Sequence, residues 1–197
     1  MKPDAIRIAT IVGTVRPGSY TSKALALVID ELHKKPGVEV KSLDPATMDL
    51  PFPGQAKGAA GADELRTAVA GATGIVLATP EYHGSFSAVT KLVIENLGFP
   101  SVLAGKPVAL LGVAGGQIGA IKSLEQLRGV CSHVGALVLP MSVSVANVRA
   151  SFDAQGRCLD DKVEARIRGV ATVLLDYIHD HVCPKLTLER MVRGEAA

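Results

Sequence analysis

Tryptophan is absent from this 197-residue chain, and Phe and Tyr bring the aromatic share to only 4%. A platform that stacks the bases of single strands needs more rings than that. The net charge of +2 and the lack of any Lys/Arg run argue against a nucleic-acid partner. No apolar stretch reaches the ~20 residues needed to span a bilayer, so no membrane partner is expected. The start, MKPDAIRIATIVG, runs straight into an apolar segment without a small-residue cleavage site and reads as a first strand. Cysteine occurs three times, at Cys131, Cys158 and Cys183, widely spaced and without a CxxC pair. That usage fits a reduced, cytoplasmic protein.

What is present is an ordinary globular balance, 48% hydrophobic and 20% charged. The length suits one domain with a core large enough to need no metal or disulfide. Ala5–Val12, Ile75–Thr79, Val108–Val113 and Ala136–Leu139 are nearly continuous apolar runs, as in strands buried on both faces. Val38–Leu43 alternates, which places it at a sheet edge. Between the strands, apolar residues recur at helical spacing: Leu25, Ile29, Leu32; Leu65, Val69; Val89, Leu92, Val93, Leu97; Leu124, Leu127, Cys131, Val134; and Val163, Ile167, Val170, Leu174, Ile178. Five strand–helix alternations predict an α/β fold with a doubly wound five-stranded parallel sheet, order 2-1-3-4-5, and helices on both faces. This is a flavodoxin-like arrangement. Met48–Gly61, rich in Pro, Gly and Ala, is the one long loop. Residues 1–183 form the expected domain, and 184–197 a loosely attached tail.

Ligands of such sheets sit beyond the carboxyl ends of the strands. The loop after strand one offers three hydroxyls (Thr14, Ser19, Thr21) and the Arg16 guanidinium where a helix begins. Unpaired N–H groups and the helix dipole make that an anion site. A helix cap needs one hydroxyl, and this loop has several. Gly18 is followed by Ser19 rather than Lys, so it is no Walker loop, and Val15 breaks a GxGxxG fingerprint. A terminal monophosphate such as that of FMN suits it better. The loop after strand three, Thr79 to Ser87, brings a Pro, a flat aromatic, an imidazole and Gly84, a surface able to receive a planar ring. Ala114-Gly115-Gly116-Gln117-Ile118-Gly119 after strand four lets backbone N–H groups approach a ligand carbonyl, or a helix pack closely.

Two other clusters are set aside. His179, His181 and Cys183 stand two apart, and on an α-helix such neighbours face nearly opposite ways, so no metal site is expected. His83-Gly84-Ser85 lacks the GxSxG elbow of a serine hydrolase.

Gly-Thr-Val-Arg-Pro-Gly-Ser-Tyr-Thr (13–21), Pro-Glu-Tyr-His-Gly-Ser (80–85) with Lys91 downstream, Gly-Gly-Gln-Ile-Gly (115–119) and Asp-Ala-Gln-Gly-Arg (153–157) together resemble the NAD(P)H-dependent FMN reductase family. Quinone, azo-dye and chromate reductases are its relatives. The match runs over roughly residues 5 to 180. Carried over by position, the resemblance implies that Thr14, Arg16, Ser19, Tyr20 and Thr21 hold the FMN phosphate. Pro80, Glu81, Tyr82, His83, Gly84 and Ser85 would lie along the isoalloxazine, with Gly115, Gly116 and Gln117 completing the site. Many members have Ser at 14, Asn at 83 and an Asp-Trp pair where Glu95-Asn96 stands here.

The resemblance implies an oxidoreductase that passes a hydride from NAD(P)H through FMN to a small acceptor. The cofactor does the chemistry, so no catalytic acid or base is named. Arg16 and the mouth of the Pro80–Ser85 loop are the candidates for touching the nicotinamide cofactor. Members of the family form homodimers or homotetramers, which is the expectation here. The alternatives are a flavodoxin-type carrier, usually acidic where this chain has 21 basic and 19 acidic residues, and a regulatory protein with an empty cleft.

Overall fold

The computed structural model describes residues 5–55 and 59–193. Five main strand positions appear as predicted, with the parallel order expected, but seven strands occupy them. These are β1 (Ile6–Val12), β2 (Val38–Leu43), β3 (Gly74–Tyr82), β4 (Ser85–Phe86), β5 (Pro107–Val113), β6 (Leu137–Val138) and β7 (Val143–Val145). The sheet runs β2-β1-β3-β5-β6, with β4 on β3 and β7 on β5.

Both additions have a local cause. β4 turns back antiparallel on the end of β3, pairing Glu81 with Phe86 and Tyr82 with Ser85. The fifth strand is broken. Leu137 and Val138 pair with Pro107 and Val108, and pairing resumes where Val143 meets Leu111. Pro140, which has no N–H to give a ladder, and Met141, at φ +63°, lie in the gap. Arg128 spans the break, donating to the carbonyls of Val138 (3.4 Å) and Leu139 (3.0 Å) and to Ser142 Oγ (2.8 Å). The predicted strand Ala136–Leu139 is therefore only the first part of this edge.

The helices are α1 (Tyr20–His33), α2 (Ala60–Gly71), α3 (Ala88–Asn96), α4 (Ile121–His133), α5 (Val148–Ser151), α6 (Asp161–Tyr177) and α7 (Cys183–Val192). Alternate strand residues feed two layers, as the period of two requires. Ile8, Val12, Val76, Ala78 and Leu111 meet Val28 and Leu32 of α1 and Ile167 and Leu174 of α6. Ala9, Ile11, Ile75, Leu77 and Leu110 meet Leu65 and Val69 of α2, Val93 of α3 and Leu127 of α4. Each such side chain, fully buried, contributes roughly 1.5–3 kcal/mol of transfer free energy. The close approach of α6 depends on Gly74, where a Cβ would come within 2.8 Å of Ile178 Cδ1. β2, at the edge, buries only Leu43 fully.

A π-helical turn, Ile178–Val182, joins α6 to α7, so much of the segment read as a tail is helical, reaching Val192. His179 and His181 fall in that turn rather than on a regular α-helix, and the His181 ring packs on Tyr177 at 4.7 Å between centroids. Among the described residues no three His, Cys, Asp or Glu are placed to share an ion. No described helix is long and apolar enough to cross a membrane.

Candidate flavin site

At the carboxyl ends of β1, β3, β5 and β7 the loops enclose a cleft of about 380 Å³, within the usual range of small-molecule sites, ~300–1,000 Å³. The loop after β1 leaves the strand at Gly13, whose N–H reaches the Ala78 carbonyl at 2.6 Å. A Cβ on Gly13 would fall 2.0 Å from Thr90 Oγ1 and 2.7 Å from that carbonyl, so only glycine brings β1 and β3 this close. The chain then turns through Gly18 (φ +63°) into α1. Ser19 caps the helix, accepting from the Ser22 N–H at 3.0 Å and sharing a 2.8 Å hydrogen bond with Ser22 Oγ. The N–H groups of the first turn ahead of Ser22 have no intrahelical acceptor and are free to bind an anion.

Of the predicted phosphate residues, Arg16, Ser19, Tyr20 and Thr21 line the cleft. Thr14 does not. It is buried beneath, where its hydroxyl accepts from the Arg16 N–H at 3.2 Å and shapes the loop.

The second loop is a tight hairpin. His83 (φ +51°) and Gly84 (φ +75°) are both left-handed, the signature of a two-residue I′ turn. Pro80, Glu81 and Tyr82 line the cleft, and Tyr82 is 45% exposed at its mouth. His83, Gly84 and Ser85 lie beyond the lining. Ser85 Oγ donates to Gln126 Oε1 at 2.7 Å, and Gln126 Nε2 donates to the Gly84 carbonyl at 3.0 Å, so the hairpin tip is docked on α4. Glu81 also reaches α4: its Oε2 accepts from the Ser123 N–H at 3.1 Å. Because Ala120 cannot cap that helix, the Glu81 carboxylate does so, where the dipole favours it.

From the third loop Gly115 lines the cleft, while Gly116 and Gln117 stand outside the lining. The loop is braced from the start of α5 by Asn147 N–H to the Gly116 carbonyl (3.0 Å) and Val148 N–H to the Ala114 carbonyl (3.1 Å).

Several lining residues were not singled out from the sequence: Pro17, Gly18, Lys23, Val113, Val148 and Arg149. The signal for Lys23 was its place one turn into the helix that follows the phosphate loop. For Arg149 there was none, because Val143–Val145 is too short to read as a strand. Lys23 Nζ donates to the Asp153 carbonyl at 2.9 Å and stands 5.1 Å from the Tyr20 ring centroid. The loop carrying that carbonyl is fixed by Arg157, whose backbone N–H and guanidinium hold the Asp153 carboxyl below the usual range. Glu95 pairs with Lys91, and Asn96 donates to the carbonyls of Pro51 (3.0 Å) and Leu92 (2.9 Å).

Free helix-start N–H groups, hydroxyls, a guanidinium and a flat mouth suit a phosphorylated planar ligand. The comparisons agree. The family model described as NADPH-dependent FMN reductase matches residues 6–150. An NAD(P)H-dependent FMN reductase of Pseudomonas aeruginosa is 32% identical over 173 residues, covering 84% of this chain and 91% of the relative. A 2-hydroxy-1,4-benzoquinone reductase of a Burkholderia species is 27% identical over 166 residues, covering 80% and 87%. Among solved structures, a flavoenzyme NAD(P)H:(acceptor) oxidoreductase of Paracoccus denitrificans superposes with a TM-score of 0.75 at 22% identity, covering 90% of this chain and 99% of that one, and shares the fold.

Proposed function

Since the chain belongs to the NADPH-dependent FMN reductase family and uses FMN and NAD(P)H, we propose how its own residues carry that activity. The flavin phosphate is held at the start of α1 by backbone N–H groups, the Ser19 and Thr21 hydroxyls and the Arg16 guanidinium, beside Tyr20 and over a loop shaped by Thr14. Pro80, Glu81 and Tyr82 flank the ring, with Gly115 on its other border, while His83, Gly84, Ser85, Gly116 and Gln117 stand behind them and hold the two loops in shape. The observation that carries this reading is the α1 N-terminus opening directly into the cleft.

When bound, FMN would supply the redox chemistry between NAD(P)H and the second substrate. The protein's part is placement and exclusion of water. Arg16 and Tyr82, at the rim, bound the space for the nicotinamide, and the docked hairpin keeps the mouth open to a flat molecule.

The acceptor is a small planar compound of the quinone class, the substrate named for the Burkholderia relative. The chain assembles as a homodimer or homotetramer through the side of α3 and α4, where Phe99 is 92% exposed. It works in the cytoplasm, consistent with three unpaired cysteines. Residues 1–183 act as the flavin domain and 184–197 as an appendage. The electron-carrier alternative draws no support from the family.

The test is a titration of the apoprotein with FMN and with riboflavin, followed by nucleotide oxidation with a benzoquinone acceptor. FMN should bind at least tenfold more tightly than riboflavin, and quinone-dependent oxidation should require it. Equal affinity for the two flavins would remove the phosphate site.

A further inference from the structure

Beyond Ile178 the chain leaves the body of the protein. Ile178 packs against Gly74 at the start of β3, the end of the sheet opposite the cleft. Val182 and Cys183 are the last side chains packed on the core. From Pro184 to Arg193 no described side chain is buried, and Leu186, Leu188, Met191 and Val192 are 46% to 89% exposed. Large apolar groups clustered in this way mark an interaction surface. A helix of ten residues also draws little stability from its own backbone.

One face of α7 is patterned. Pro184, Leu188 and Val192 recur every four residues along a shallow groove, bordered by Asp180, Lys185, Glu189 and Arg193. The bordering charges alternate along the chain: acid, base, acid, base. Lys185 and Glu189 approach each other to 3.9 Å, an exposed contact that contributes little.

That order complements itself when two copies run antiparallel. With a two-fold axis at Thr187, Lys185 of each copy stands opposite Glu189 of the other, and Asp180 stands beside Arg193. Pro184, Leu188 and Val192 then alternate with their counterparts at steps of ~3 Å, twice the helical rise. They form an apolar seam between the charges, as in a coiled coil. A parallel pair in equal register sets every charge against its own copy, which is unfavourable.

We propose that α7 is a pairing helix, docking antiparallel on α7 of a second copy of this chain. The contact is isologous and lies away from the cleft, so both flavin sites stay open. One helix per side is a small interface. The pairing therefore acts as the second contact of an assembly that also uses the α3 and α4 face, and it makes that assembly a tetramer. In this respect the inference rests on the assembly proposed above.

Sedimentation velocity of the full chain reads the result. Leu188→Glu sets two carboxylates at the centre of the seam, and Lys185→Glu makes both contacts with Glu189 repulsive. Each should halve the mass of the wild-type tetramer. Adding Glu189→Lys to Lys185→Glu reverses both charges and should restore it. FMN affinity and circular dichroism should not change, since these side chains lie outside the cleft and the core. Phe99→Glu probes the other face and should leave dimers held by α7. A wild type whose mass is unaltered by Leu188→Glu overturns the pairing, as does a charge-swapped double variant that stays dissociated. A wild-type dimer split by Leu188→Glu and not by Phe99→Glu upholds the pairing and removes the α3 and α4 face instead.

Discussion

Ser87 Oγ donates a hydrogen bond to the carbonyl oxygen of Gly13, a residue 74 positions earlier. The same hydroxyl caps α3, accepting from the Thr90 N–H at 3.0 Å, and lies 2.9 Å from Thr90 Oγ1. Thr90 in turn donates to Thr79 Oγ1 at 3.0 Å, and Thr79 Oγ1 accepts from the Ser87 N–H at 3.2 Å. All three hydroxyls are buried. The network joins the loop after β1 to the loop after β3, so the phosphate end and the ring end of the site are held in one frame.

Ser87→Ala should therefore damage stability and binding together. It removes a helix cap and strands the buried Gly13 carbonyl, for a loss of about 2–3 kcal/mol. Thr90→Val keeps the shape and the Ser87–Gly13 bond and should cost about 1 kcal/mol. Urea unfolding measures the first quantity and FMN titration the second. A Ser87→Ala protein within 0.5 kcal/mol of wild type would mean that the bond contributes nothing.

Arg16 and Ser19 should separate by their effects. Arg16 has no side-chain partner among the described residues, so Arg16→Ala should leave the unfolding midpoint in place while weakening FMN by about 10–100-fold, the effect of losing a charge-assisted hydrogen bond of 1.5–3 kcal/mol. Ser19 also caps α1, so Ser19→Ala should lower stability by about 1 kcal/mol as well. Riboflavin binding should be far less sensitive to Arg16→Ala. Equal losses for FMN and riboflavin would show that Arg16 does not meet the phosphate.

The turn residue His83 holds φ +51° beside Gly84 at +75°. Asn tolerates the left-handed region better than His or any branched residue, and Asn-Gly is the favoured I′ pair. His83→Asn should raise stability by a few tenths of a kcal/mol, whereas His83→Val should lower it by about 1–2 kcal/mol. Thermal unfolding distinguishes the two. If Asn and Val behave alike, the turn is not under the constraint its dihedrals imply.

The sheet was legible because strands buried on both faces read as unbroken apolar runs, and because β2, with one face exposed, alternates. Ser19 and Gly115, which line the cleft, drew notice in the sequence because loops at the carboxyl ends of strands carry unusual residues there. What the sequence did not show has a common cause. Val143–Val145 is too short to stand out, and with it the approach of Arg149 was hidden. Glu81 and Ser85 look like ligand groups in a motif, but their side chains turn to Ser123 and Gln126, partners brought near only by the packing of α4. Thr14 carries a hydroxyl in the right stretch, yet it faces the loop's own backbone.

Cys131 provides a test through pH. It is fully buried on α4 in the layer with Leu127 and Leu110, and desolvation pushes its thiol up to about 12, from 9.0 for a free thiol. Between those values the unfolded chain loses a proton that the native state keeps, so unfolding is favoured as pH rises. Near neutrality the thiol is protonated in both states and contributes no pH dependence. Above pH 9 stability should decline, by at most ~1.4 kcal/mol per pH unit from this group. Other groups titrate there too, so the comparison is with Cys131→Ala, which should be less stable at pH 7 but lose stability less steeply between pH 9 and 10.5. Iodoacetamide on the native protein should modify Cys158 and Cys183, which are partly exposed, and spare Cys131 until urea is added. Equal labelling of all three thiols under native conditions, or identical slopes for the two proteins, would place Cys131 outside the core.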